Sequence, residues 1–123
     1  MIFTPDMNDG KHVFVFGSNE WGAHAGGAAR EALEHWGAHA TVGFGPMGDS
    51  FAIPTMDWQM KPLSLEAIGH YVNRFLAYAA LNRQVKFLVT PIGTGICGYS
   101  HTEIAPLFKT APANCVLPAE WTK

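Results

Sequence analysis

Charge is scarce in this chain: 8 Lys or Arg and 10 Asp or Glu among 123 residues, a formal balance of -2 with histidine neutral. A general DNA or RNA binder concentrates Lys and Arg on one face, so that class is excluded and any nucleotide partner should be small. Cysteine is scarcer still. Cys97 and Cys115 stand in neither a CxxC nor a metal-ligand spacing, which predicts free thiols, no disulfide framework and no metal site. No apolar run approaches the roughly 18 residues of a membrane helix, so no membrane partner is expected. The opening Met1-Ile2-Phe3-Thr4-Pro5-Asp6 lacks the basic and long apolar regions of a secretory signal. A cytoplasmic address is the expectation.

What is present is a core. Hydrophobic residues make up 48% of the chain, enough at this length for one compact domain over residues 1–123, with a radius of gyration of about 14 Å. His12-Val13-Phe14-Val15-Phe16 is β-branched and aromatic and reads as a buried strand. The next eleven residues, GSNEWGAHAGG, hold four glycines and no Lys or Arg. Ala29, Ala32, Leu33 and Trp36 then fall on one helical face, with Gly37 where a left-handed C-cap would stand. Residues 39–49 read as loop, and Ser50-Phe51-Ala52-Ile53 as a brief strand ended by Pro54.

Ser64 can cap a helix whose apolar positions Leu65, Ile68, Val72, Phe75, Leu76 and Ala79 keep helical spacing as far as Asn82. Lys86-Phe87-Leu88-Val89 reads as another buried strand. It is followed by a second glycine loop, Thr90-Pro91-Ile92-Gly93-Thr94-Gly95-Ile96-Cys97-Gly98-Tyr99. Ser100 and Glu103 have capping-box spacing for a helix reaching Phe108, and Asn114-Cys115-Val116-Leu117 is a last strand. Strands alternating with helices predict an α/β fold with a mixed, largely parallel sheet.

Both glycine loops leave a buried strand and enter a helix, the place where open α/β sheets bind ligands. Successive backbone amides and a helix N-terminus can hold phosphate oxygens without any basic side chain. Gly26 and Gly27 would let a phosphate approach, while Gly93, Gly95 and Gly98 would permit positive φ angles and a tight wrap.

The segments Asn19 to Ala32 and Pro91 to Tyr99 resemble the two ligand loops of macro domains, a family that binds ADP-ribose and in some members hydrolyses its derivatives. The stretch Ile92-Gly93-Thr94-Gly95-Ile96-Cys97-Gly98-Tyr99 is the more specific match. The resemblance implies a three-layer α/β/α domain, no cofactor, and a diphosphate lying between the loops. Gly26, Gly27, Ala28, Thr94, Gly95, Ile96 and Cys97 would contact it through their backbones. It implies Asn19 facing the distal ribose, and Tyr99 packing against that ribose where it does not simply pack in the core. Asp6, in Pro5-Asp6-Met7, would stand where the family's Asp accepts a hydrogen bond from the adenine amine.

The chain departs from the family where hydrolysis would occur. One hydrolase branch has an Asp two residues after the paired glycines, where this chain has Ala29; another uses a Lys in the first loop and an Asp in the second, and neither is present. His24 and His101 remain as imidazoles near the loops, and Glu20 could orient a water. Trp21 would stack on a base if exposed and pack if buried. Trp58 is expected to pack beneath its loop, with a lid over the ligand as the alternative.

Three functions follow as expectations. The first is capture of ADP-ribose or a related signalling nucleotide, with short stand-alone proteins of bacteria and their phages as the analogy and sequestration of an immune signal as the use. The second is an ADP-ribosyl hydrolase using Asn19 and His24. The third is an interaction protein with an empty cleft. A homo-oligomer is compatible with each.

Overall fold

The structure, a computed structural model, describes residues 11–24 and 26–121. Asp6 lies outside the described residues. Five strands form one sheet in the order β2-β3-β1-β4-β5. They are β1 (His12–Asn19), β2 (Gly45–Met47), β3 (Ser50–Met56), β4 (Lys86–Val89) and β5 (Cys115–Val116). The pairs β1·β3, β1·β4 and β4·β5 are parallel and β2·β3 is antiparallel.

The apolar run of β1 is continuous because both of its faces are covered. Phe14 and Phe16 point to one face, where they meet Ala29, Ala32 and Trp36 of the segment carrying α1 (Gly27–His35). Trp36 lies against Phe14 with ring centroids 5.1 Å apart. Val15 points to the other face, toward Ile68, Val72, Phe75 and Ala79 of α2 (Leu65–Ala80). The short α3 (His101–Ile104) and the 3-10 turn Ala105–Phe108 add Ile104 and Phe108 to that second cluster. Each such fully buried side chain contributes about 1.5–3 kcal/mol. The result is three layers, α/β/α, as the resemblance implied, around the largely parallel sheet that the alternation of elements predicted.

The expected local signals operate. Gly37 takes φ +76 just after the C-cap Trp36. The Ser64 side chain accepts from the Ala67 amide, and Ser100 and Glu103 form a reciprocal capping box. Several boundaries differ, beginning with β1, which continues past Phe16 through Gly17 to Asn19. The stretch expected as loop over 39–49 contains β2, which folds back on β3 through Gly48, at φ +56. β3 runs through Pro54 to Met56: β2 pairs only as far as Ala52, so Pro54 sits where one side of β3 has no strand neighbour and a missing amide donor is tolerated. The helix after Ser100 becomes 3-10 at Ala105, with Pro106 in its first turn.

The topology places the two glycine loops together. β1 and β4 are parallel neighbours, so their chain ends emerge side by side. From there the first loop crosses to α1 on one face and the second to α3 on the other. Such divergence opens a crevice at the carboxyl ends of the strands.

Candidate functional site

That crevice is a cavity of about 570 Å³, within the range of small-molecule sites. Its wall is drawn from four segments. The end of β1 and the loop after it supply Gly17, Ser18, Asn19 and Ala23, and the start of α1 supplies Gly26, Gly27, Ala28 and Ala29. The second glycine loop contributes the run from Thr90 to Cys97, and the end of β3 with its following turn contributes Thr55, Met56 and Met60.

At the floor, hydroxyls are consumed by the fold. Thr90 Oγ1 donates to Val15 O at 2.8 Å, Thr55 Oγ1 to Ser18 O at 3.3 Å, and Ser18 Oγ to Gly43 O. Buried polar groups paired in this way fix the strand ends relative to one another. Cys97 Sγ donates to Thr55 O at 3.3 Å, and burial pushes its thiol above the ordinary range. The thiol form is a poor nucleophile.

The walls present amides. The first backbone bond of α1 runs from Arg30 N to Gly26 O at 3.2 Å, which leaves the amides of Gly27, Ala28 and Ala29 ahead of the ladder. Gly26, the N-cap, has no side chain to satisfy them, and the first turn carries no acidic residue. The second loop folds on itself through Gly98 N to Gly95 O at 3.0 Å, Tyr99 N to Gly93 O at 2.9 Å and Thr94 Oγ1 to Pro91 O at 2.7 Å. The amides of Gly95, Ile96 and Cys97 donate to no acceptor among the described residues. The positive end of a helix and a row of free amides thus line one cavity, an arrangement suited to an anion.

The glycines divide into two kinds. At Gly93, φ is +74 and an added Cβ would stand 3.0 Å from Ile104 Cδ1, so the fold itself demands glycine. At Gly26 and Gly95 neither constraint holds: no positive φ is required and an added Cβ would meet nothing within 4 Å. Both line the cavity.

Other residues singled out in the sequence are placed differently. Asn19 lines the cavity, but its amide is engaged at both ends, donating to Ala23 O at 2.7 Å and accepting from Ala23 N at 3.0 Å. His24 is 5% exposed and is not in the cavity wall. Its Nε2 faces Val42 O at 3.1 Å and its ring meets Phe16 edge-on. Glu20 Oε2 accepts from the Tyr71 hydroxyl at 2.9 Å, and His101 Nδ1 accepts from Trp121 Nε1 at 2.9 Å. Tyr99 donates its hydroxyl to Leu63 O at 2.6 Å and packs against the α2-side core; with Gly98 it lies outside the cavity wall. Trp21 is 55% exposed and Trp58 65% exposed, so neither packs beneath its loop.

Thr55, Met56 and Met60 were not anticipated, because nothing in the sequence says that β3 lies beside β1. Among the described residues, no group of three His, Cys, Asp or Glu could hold a metal ion, and no helix is long and apolar enough to cross a membrane. Both cysteines are free. No family model, curated protein or solved structure matches this chain.

Proposed function

We propose that the protein is a macro-like module that captures ADP-ribose, or a signalling nucleotide derived from it, in the cavity between its two glycine loops. The observation that carries this reading is the pair Gly26 and Gly95. Each faces the cavity, and neither is required by backbone angle or by packing. Room for a ligand beside the main chain is a physical reason for glycine at both positions. Their neighbours supply free amides, which bind a diphosphate without a cationic side chain. The resemblance of both loops to those of macro domains points to the same ligand class.

Capture is favoured over turnover. Among the described residues, the cavity wall carries no carboxylate and no imidazole. A general base must reach its proton within about 2.6–3.2 Å or through one water; Glu20 and His101 each hold another group, and His24, whose Nδ1 has no partner, is buried outside the cavity wall. A cytoplasmic protein that binds its ligand and leaves it intact would suit sequestration of an immune signal by a bacterium or a phage.

The test is calorimetric titration with ADP-ribose, followed by denaturation and chromatography of the ligand. Intact ligand is expected. Gly95→Glu should keep the fold, since the position is open, while its carboxylate repels the diphosphate and abolishes binding. A folded Gly95→Glu variant with normal affinity would sink the phosphate site.

A further inference from the structure

Beyond the cavity, the carboxyl edge of the sheet carries an apolar face. Leu33, Leu81 and Val116 are exposed one to an element, on α1, after α2 and on β5. Single side chains of that kind are normal on any surface. Trp21, Trp58, Met60 and Ile96, the last two 45% and 93% exposed, gather instead on the three loops that leave β1, β3 and β4. Tryptophan and methionine are side chains that interface cores concentrate.

These loops are neighbours because β1 lies between β3 and β4 and all three strands are parallel. Glu20 N donates to Met56 O at 2.9 Å, a bond one residue from Trp21 and two from Trp58. Met60 and Ile96 line the same cavity while standing in water, so they mark its opening. The turn that carries Trp58 and Met60 is closed: Asp57 Oδ1 accepts from Gln59 N at 2.8 Å and from Lys61 N at 3.0 Å, and Asp57 N donates to Lys61 O at 2.8 Å. A face mounted on a fastened turn loses little entropy when it is covered.

We propose that this face is a twofold interface between two copies of the chain, closing over the openings of both cavities. Area and charge select that occupant. At about 200 Å² for a fully exposed side chain of this size, the four exposed parts come to about 500 Å² per copy, and a pair buries about 1,000 Å², where specific interfaces begin. The charged side chains on loops 17–24, 57–61 and 90–99 are Glu20, Asp57 and Lys61. The Tyr71 hydroxyl holds the Glu20 carboxylate, and the amides of its own turn hold that of Asp57. No block of one sign therefore opposes its copy across a twofold axis. A lipid surface or a nucleic acid selects clustered Lys and Arg, and Lys61 is the one such cation on these loops.

The experiment is analytical ultracentrifugation of the ligand-free protein across a concentration series. Wild type should pass from monomer to dimer with a Kd of about 10 µM, as suits an interface of this size. Trp58→Ser and Ile96→Ser should each raise that Kd at least about tenfold, while Leu81→Ser, exposed but off the face, leaves it unchanged. These side chains stand mostly in water, so each variant should keep the wild-type melting temperature. Wild type that stays monomeric throughout overturns the interface, and if it then sediments with phosphatidylcholine vesicles the face belongs to a lipid surface. A dimer weakened by Leu81→Ser and not by Trp58→Ser or Ile96→Ser overturns it as well. No nucleotide is present in these runs, so a dimer that later binds no ADP-ribose overturns the ligand reading alone.

Discussion

A methyl group at Gly95 should move stability and affinity in opposite directions. The position has no positive φ, and an added Cβ meets nothing within 4 Å. Gly95→Ala therefore costs the native state little while removing backbone freedom from the unfolded chain, a gain of about 0.4–1 kcal/mol. For a chain of 123 residues, with an unfolding entropy of about 2.1 cal/mol/K per residue, this corresponds to a rise of about 1.5–4 °C in Tm. On the reading proposed above, the same methyl stands in the path of the phosphate. Losing one charge-assisted amide bond costs about 1.5–3 kcal/mol, or about 10- to 150-fold in Kd for ADP-ribose. Gly93→Ala supplies the contrast. There φ is +74 and Ile104 Cδ1 lies 3.0 Å from the new Cβ, so left-handed strain of about 1–2 kcal/mol should lower Tm by about 4–8 °C. Scanning calorimetry and isothermal titration read both quantities. A Gly95→Ala protein that melts below wild type would show that the fold needs this glycine. One with unchanged affinity would show that nothing approaches it.

Two further predictions concern the frame around the site. Asn114 Nδ2 lies within hydrogen-bond distance of Ala79 O at 3.0 Å and of Asn82 O and Val85 O at 3.1 Å, tying the end of α2 to the entry of β4; Asn114→Leu should cost about 2 kcal/mol, read as a fall in the urea midpoint. The resolved proton equilibria predict alkaline weakness. Burial raises Tyr71, Cys97, Tyr99 and Cys115 alike, Cys115 from 9.0 to about 11, and a bond to Glu20 adds to the effect at Tyr71. A group with a raised folded value stays protonated in the native state while the unfolded chain releases its proton, so stability is complete below pH 9 and declines as pH rises through about 11. Urea unfolding from pH 7 to 11 should show that decline, and a flat profile refutes the burial of these groups.

Elements defined by their own sequence were legible. The run Lys86 to Val89, the helical spacing from Leu65 onward with Ser64 as cap, and the Ser100–Glu103 box all act over a few residues, and the structure has each of them. Elements defined by their partners were not. Gly45-Pro46-Met47 has no strand pattern and becomes β2 only by pairing with β3. Pro54 looks like a stop in the sequence and is tolerated because β2 ends beside it. The same limit applies to the cavity. Both glycine loops were legible, as was their convergence, because each leaves a parallel strand toward a helix. Met60 was hidden, since its place depends on β3 lying beside β1 and on Asp57 folding the intervening turn. Trp58 was expected to pack beneath that turn; the Asp57 carboxylate already fills the turn's hydrogen-bonding needs, and the indole is left outside.

The polar side chains nearest the loops share one property that bears on holding against reacting. Asn19 closes the bend at Ala23, Glu20 anchors the first loop to α2 through Tyr71, and His24 spans to the Val42 carbonyl beneath Phe16. Moving His24 to the cavity would break its Nε2 contact with the Val42 carbonyl and its edge-on contact with Phe16, leaving that carbonyl unpaired at about 1–3 kcal/mol. Each of these groups rigidifies a segment whose amides face the cavity. A rigid amide cradle holds an anion with little ordering cost on binding, because the loop entropy has been lost in folding. On the capture reading proposed above, fastening Glu20 and His24 to the frame serves affinity at the expense of chemistry.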